Sequence, residues 1–177
     1  MDRKQFLKTC ATGLCACAAA CLPKGALAEP AAPQDWRLPF VKRRYAKLIG
    51  SLSQRMEPAA LSATLQELGG FCASELDAKT EVFRGNPQGF IKEAEKNGSV
   101  VSYDPATKTY TSAYDPHGDC FCPFNSLAAK TPAAVCECSV GWTKHTWSIV
   151  LNQEAKAKLK EAVLRGGKVC KFEITAA

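Results

Sequence analysis

The sequence predicts an α+β domain in which N-terminal helices pack on a small, mostly antiparallel sheet with one inserted helix. Three observations predict it. Apolar residues recur at three- and four-residue spacing from Phe40 onward, alternation of Val, Thr and Tyr takes over from Ser99, and a Gly-Gly turn leads into VCKFEI near the end. Helices, then strands, one further helix and strands again is the element order of that fold class.

The elements follow in order. Phe40, Val41, Tyr45, Leu48, Ile49 and Leu52 predict an amphipathic helix to about Met56, with the basic run Lys42-Arg43-Arg44 on its outer, solvated side. Pro58 suits the first turn of a second helix bearing Leu61, Leu65 and Leu68. Gly69-Gly70 interrupts it, and Phe71-Cys72 opens a continuation to about Leu76. A short helix around Phe90 to Ala94 ends at Asn97-Gly98, a left-handed cap. Ser99 to Tyr103 and Thr107 to Ala113 read as a β-hairpin. Asp115-Pro116-His117-Gly118 is turn chemistry, and Ala134-Val135-Cys136 is strand-like. Ser139 is a candidate N-cap for a helix carrying Val140, Trp142 and Trp147 to Leu151. Glu154 to Leu164 fits helix or strand equally, while Gly166-Gly167 before VCKFEI favours a final hairpin. The mature chain shows no internal repeat.

The first residues belong to a different class. MDRKQFLK is charged, Thr9 to Leu22 is apolar and uncharged, and Ala26-Leu27-Ala28 supplies small residues for a signal peptidase. The apolar run is shorter than the roughly 20 residues of a spanning helix. Residues 1–28 are therefore read as a cleavable export signal, 29–39 as an extended linker and 40–177 as a single domain. RKQFLK resembles the twin-arginine signal, with Lys4 in place of the second arginine. That resemblance implies folding in the cytoplasm and export to the periplasm or the extracellular space. Removing Arg3, Lys4, Lys8, Lys24 and Asp2 lowers the net charge from +6 to about +3. With a pI near 8.8 there is no argument for nucleic acid as a partner, and no membrane partner is expected after signal removal. A small-molecule ligand is.

Six cysteines remain: Cys72, Cys120, Cys122, Cys136, Cys138 and Cys170. Cysteines two apart on a strand point to one face, so Cys120, Cys122, Cys136 and Cys138 form a candidate tetrahedral zinc site. Cys170, Cys72 and His117 are alternates. Cys-x-Cys is tighter than the usual zinc-finger spacing, and an exported protein with six cysteines is also open to disulfides. Cys120–Cys138 or Cys122–Cys136 would each close a loop worth roughly 3 kcal/mol. Redox or copper-handling thiols are the third reading. Candidate acid–base groups are His117, His145, Asp119 and Glu137; no catalytic residue emerges from them. Trp142 and Trp147 read as core or pocket walls.

CECSVGWTKHTWSIVL followed by AVLRGGKVCKFEI, together with Gly69-Gly70-Phe71-Cys72-Ala73, resembles the L-2-amino-thiazoline-4-carboxylic acid hydrolase family over about residues 58 to 174. It is similar, more distantly, to 4-vinyl-reductase-type ligand-binding domains. The resemblance implies a small α+β domain around a pocket for a partly apolar ligand. It also implies a zinc ion held by cysteines in the Cys136 and Cys170 regions, and hydrolysis of a cyclic C–N bond. A zinc closed by four cysteines would be structural; a catalytic one needs an open position.

Overall fold

The computed structural model describes residues 35–114, 120, 122 and 131–177. The export segment 1–28, the turn at 115–118, His117 and Asp119 lie outside the described residues. Arg37–Ala177 is one compact unit. Its helices are α1 (Arg37–Ser53), α2 (Pro58–Ser74), the short α3 (Asp77–Thr80), α4 (Pro87–Lys96) and α5 (Cys136–Val150). Its strands are β1 (Val100–Asp104), β2 (Thr109–Tyr114), β3 (Ala155–Glu161) and β4 (Cys170–Ala176). The α+β expectation holds. Among the described residues, no helix is long and apolar enough to cross a membrane.

All strand pairs are antiparallel, in the order β1-β2-β4-β3. Strict alternation puts Cys170, Phe172 and Ile174 of β4 inward and leaves Lys171 exposed. Glu154 to Leu164, ambiguous in sequence, contains β3, because Leu159 pairs with Phe172 and Ala157 with Ile174. The hairpin turn between β1 and β2 is held by Asp104, whose carboxylate accepts from the Ala106 amide and the Thr107 hydroxyl. Asn86 caps α4 by accepting from the Gly89 amide, and Gly98 follows the helix at φ 85°.

The middle layer is α5. One side meets the sheet through Cys136, Val140, Trp147 and Val150, packed with Val101, Ala155, Cys170, Phe172 and Ile174. Phe90 and Tyr110 flank Trp147 with ring centroids at 5.4 and 4.7 Å. The other side crosses α2 at backbone contact. A Cβ on Gly69 would stand 1.8 Å from the Cys138 carbonyl oxygen, and one on Gly141 1.8 Å from that of Gln66. This corrects the interrupted reading of α2, which runs unbroken through Gly69-Gly70. Glycine costs a helix about 1 kcal/mol, and the close crossing it permits outweighs that.

Three further expectations change. Ala134 to Cys136 is not a strand: Ala133–Val135 is a 3₁₀ turn that runs directly into α5. Ser139 therefore sits inside the helix, and the helix starts at Cys136 with no side-chain cap. So short an apolar run carries no period of its own, and packing decided it. The linker reading of 29–39 ends too late, since α1 already includes Arg37 to Pro39; proline is tolerated in a first turn. Finally, α1 is rotated from its expected setting. Lys42 and Ile49 are buried, whereas Val41 and Leu48 are each 53% exposed.

Replacing Gly69 with Ala is expected to destabilise the domain by roughly 3 kcal/mol, the upper end of overpacking costs. Gly70→Ala, whose added carbon meets nothing nearer than 4.0 Å, should instead gain about 0.5–1 kcal/mol. Urea denaturation of the pair measures the difference.

Candidate functional site

The helical start at Cys136 sets the geometry of the thiols. Residues two apart on a helix are about 200° apart around its axis, given 3.6 residues per turn. Cys136 therefore faces the sheet and Cys138 faces α1 and α2. Cys136 is buried with Cys170, the first residue of β4, whereas Cys138 packs beside Ile49, Leu61 and Leu65. The expectation that one face carries both Cys136 and Cys138 is corrected accordingly.

Around Cys136 the structure brings together Cys120, Cys122 and Cys170, with Val135, Ser139, Leu159, Ala162 and Phe172 completing the wall. The niche they line holds about 10 Å³, the space of one water-sized sphere. Cys138 instead meets Tyr45, its sulfur 3.4 Å from the phenol oxygen. Cys72 on α2 and Cys122 both act electrostatically on Cys138 and Tyr45. Cys122 thus borders both groups. No disulfide joins any of these six cysteines among the described residues. Among the described residues, no group of three or more His, Cys, Asp or Glu side chains stands ready to hold a metal ion.

Burial dominates the electrostatics here. It pushes the Cys136 thiol up to about 11; nearby Arg165 opposes this, and Cys170, Cys120 and Cys122 add to it. Burial likewise raises Cys138, against the hydrogen bond with Tyr45 and with Cys122 and Cys72 contributing. Tyr45 itself is pushed above the ordinary phenol range by burial and then by Cys138. Both thiols are protonated at neutral pH, which makes them poor nucleophiles unless a cation compensates.

Between the two cysteines, Glu137 points toward α2. One oxygen accepts from Ser62 (2.8 Å) and Gln66 (3.0 Å), and the other from Arg165 (2.7 Å). Burial alone would raise its carboxyl; the bonds from Arg165, Ser62 and Gln66 outweigh it and hold the group below the ordinary range. Glu137 is a clamp joining α2, α5 and the turn Val163–Arg165, a role that sequence reading missed. The signal was an acidic residue in a first helical turn, hidden by the strand assignment. His145 pairs with Asp77 at 2.8 Å, tying α5 to α3. His117 and Asp119 fall outside the described residues. Trp142 is 36% exposed, and Trp147 is fully buried.

Trp147 carries the second polar feature of interest. Its indole nitrogen is buried and, among the described residues, has no hydrogen-bond partner. Phe90 and Tyr110 enclose the ring, and Phe83 and Tyr103 extend the aromatic cluster.

Two solved structures share this architecture. One is a trafficking protein particle complex subunit 3 from Naegleria fowleri, covalently bound to palmitic acid. It is 13% identical at a TM-score of 0.56, over 80% of this chain and 95% of that one. The other is the phenol-responsive sensory domain of the transcription activator PoxR with phenol, 15% identical at 0.50, over 76% and 74%. The likeness is one of fold. No protein-family model matches the sequence, and no curated protein matches it.

The raised Cys136 thiol makes stability depend on alkaline pH. The folded chain keeps a proton that the unfolded chain releases near pH 9. The contribution is therefore complete below about 9 and is lost as pH rises through about 11. Thermal denaturation of metal-free protein across that window should show a steeper decline for the native sequence than for Cys136→Ala. Equal slopes would remove Cys136 as the cause.

Proposed function

We propose that the protein is an exported small-molecule-binding domain whose cysteine niche takes a structural zinc ion. The ligand reading rests on the buried Trp147 indole N–H, which has no acceptor among the described residues. A buried donor left unpaired costs about 1–3 kcal/mol, and a ligand acceptor would recover that. The aromatic surroundings favour a small, partly apolar molecule with one oxygen or nitrogen acceptor. The palmitic acid and phenol carried by the two similar structures are of that general kind. With His145 engaged by Asp77 and Glu137 by three donors, the described acid–base groups support binding more than hydrolysis. Calorimetric titration with phenol and with palmitate is expected to reveal binding of at least one. Trp147→Phe, which keeps a ring but deletes the donor, should weaken it about tenfold. Unchanged affinity in that variant would sink this placement of the ligand.

The zinc reading rests on four soft donors around a space fit for one atom. Cys120, Cys122, Cys136 and Cys170 line it, so Cys170 replaces Cys138 in the ligand set proposed from sequence. Zinc binds thiolates at about 2.3 Å; since the described side chains do not already form a ligand group, the ion would draw Cys120 and Cys122 inward. Its charge would also reverse the burial cost that keeps Cys136 protonated. Protein recovered from outside the cytoplasm is expected to begin at Glu29 and to carry one zinc per chain. Cys170→Ser should lose the metal and Cys138→Ser should retain it. Elemental analysis finding no zinc in the native protein would leave the niche without this role.

A further inference from the structure

The rotation of α1 leaves a second stripe facing solvent. Arg37, Phe40, Val41, Arg44, Lys47 and Leu48 follow the three- and four-residue spacing of one helical side, and all six are exposed. Each is cationic or apolar. The guanidinium of Arg44 lies 4.1 Å from the centre of the Phe40 ring, and the 17 residues of α1 contain no acid. The stripe that does enter the core is the neighbouring one, with Lys42 and Ile49 buried and Tyr45 and Leu52 half-buried. An exposed helical side that is half apolar and half cationic matches what an anionic membrane surface binds.

We propose that α1 is an interfacial helix that seats the domain on an anionic lipid surface. Charge complementarity selects this occupant. A second copy of the chain would set Arg44 and Lys47 against the same cations. Residues 1–34 would bring four more bases, Arg3, Lys4, Lys8 and Lys24, against only Asp2 and Glu29. An anionic leaflet meets both requirements at once: headgroups for the cations, and an acyl boundary for Val41, Leu48 and Phe40. The helix is about 25 Å long at 1.5 Å per residue, so its whole stripe can lie in the surface plane. This departs from the sequence expectation of no membrane partner in the mature protein.

Vesicle co-sedimentation tests it, with phosphatidylcholine alone and with phosphatidylcholine mixed with phosphatidylglycerol. The full chain should sediment with the anionic vesicles and be released by added salt. Each basic side chain near such a surface is worth about a factor of five, so Arg44→Gln with Lys47→Gln should lower partitioning about 25-fold. Val41→Ser with Leu48→Ser should lower it at least about tenfold, since inserted apolar area contributes independently. Residues 9–22 are common to every variant, so only the differences between variants read α1, and circular dichroism confirms that each variant is folded. Variants that bind anionic vesicles as the native chain does would overturn the proposal. Two further outcomes would also overturn it. Self-association without vesicle binding would assign the stripe to a second copy. Tight binding to polyglutamate that ignores the apolar pair would assign it to an acidic protein.

Discussion

The backbone crossing of α2 over α5 is the constraint from which the rest follows. Glycine at Gly69 and at Gly141 lets the two helices meet where any side chain would collide with a carbonyl 1.8 Å away. Close approach removes both helices from water along their contact and makes α5 a central layer instead of a surface helix. It also brings Glu137 within reach of Ser62 and Gln66 on α2. That carboxylate takes Arg165 as well, so the turn between β3 and β4 is tied to the same crossing. A charged clamp of this kind adds register, since three donors must meet one carboxylate in a fixed geometry.

The crossing also divides the sulfur chemistry. Once α5 begins at Cys136, its first turn sends Cys136 toward β4 and Cys138 toward Tyr45. Two environments result. One is a small niche shared with Cys170, Cys120 and Cys122; the other is a phenol–thiol contact beside Cys72. Both disfavour the thiolate because burial withholds water from the charge. The same dryness that makes these thiols unreactive makes a bound cation effective, because little solvent screens it. The aromatic cluster around Trp147 lies in the same core and holds a donor of the opposite kind, an N–H seeking an acceptor.

Much of the secondary structure was legible because it had a period. The final strand at VCKFEI, the β1–β2 hairpin and the cap after α4 all appear as read. Where periodicity failed, so did the reading. Ala134 to Cys136 was too short to tell a strand from the entrance to a helix, and AKAKLKE suits either state until β4 lies beside it. In α1 two apolar stripes overlap, and no local rule says which one faces inward. The site suffered most, since a strand would have paired Cys136 with Cys138 on one side, and the helix pairs Cys136 with Cys170.

By itself, then, the sequence determined the fold class, the strand alternation and which residues carry the soft and acid–base chemistry, because those depend on residue type and local spacing. The tertiary structure decided which thiols share a space, which stripe of α1 is buried and that Glu137 is a clamp. Those outcomes come from contacts between residues up to 93 positions apart, settled by how closely two glycines let their helices approach.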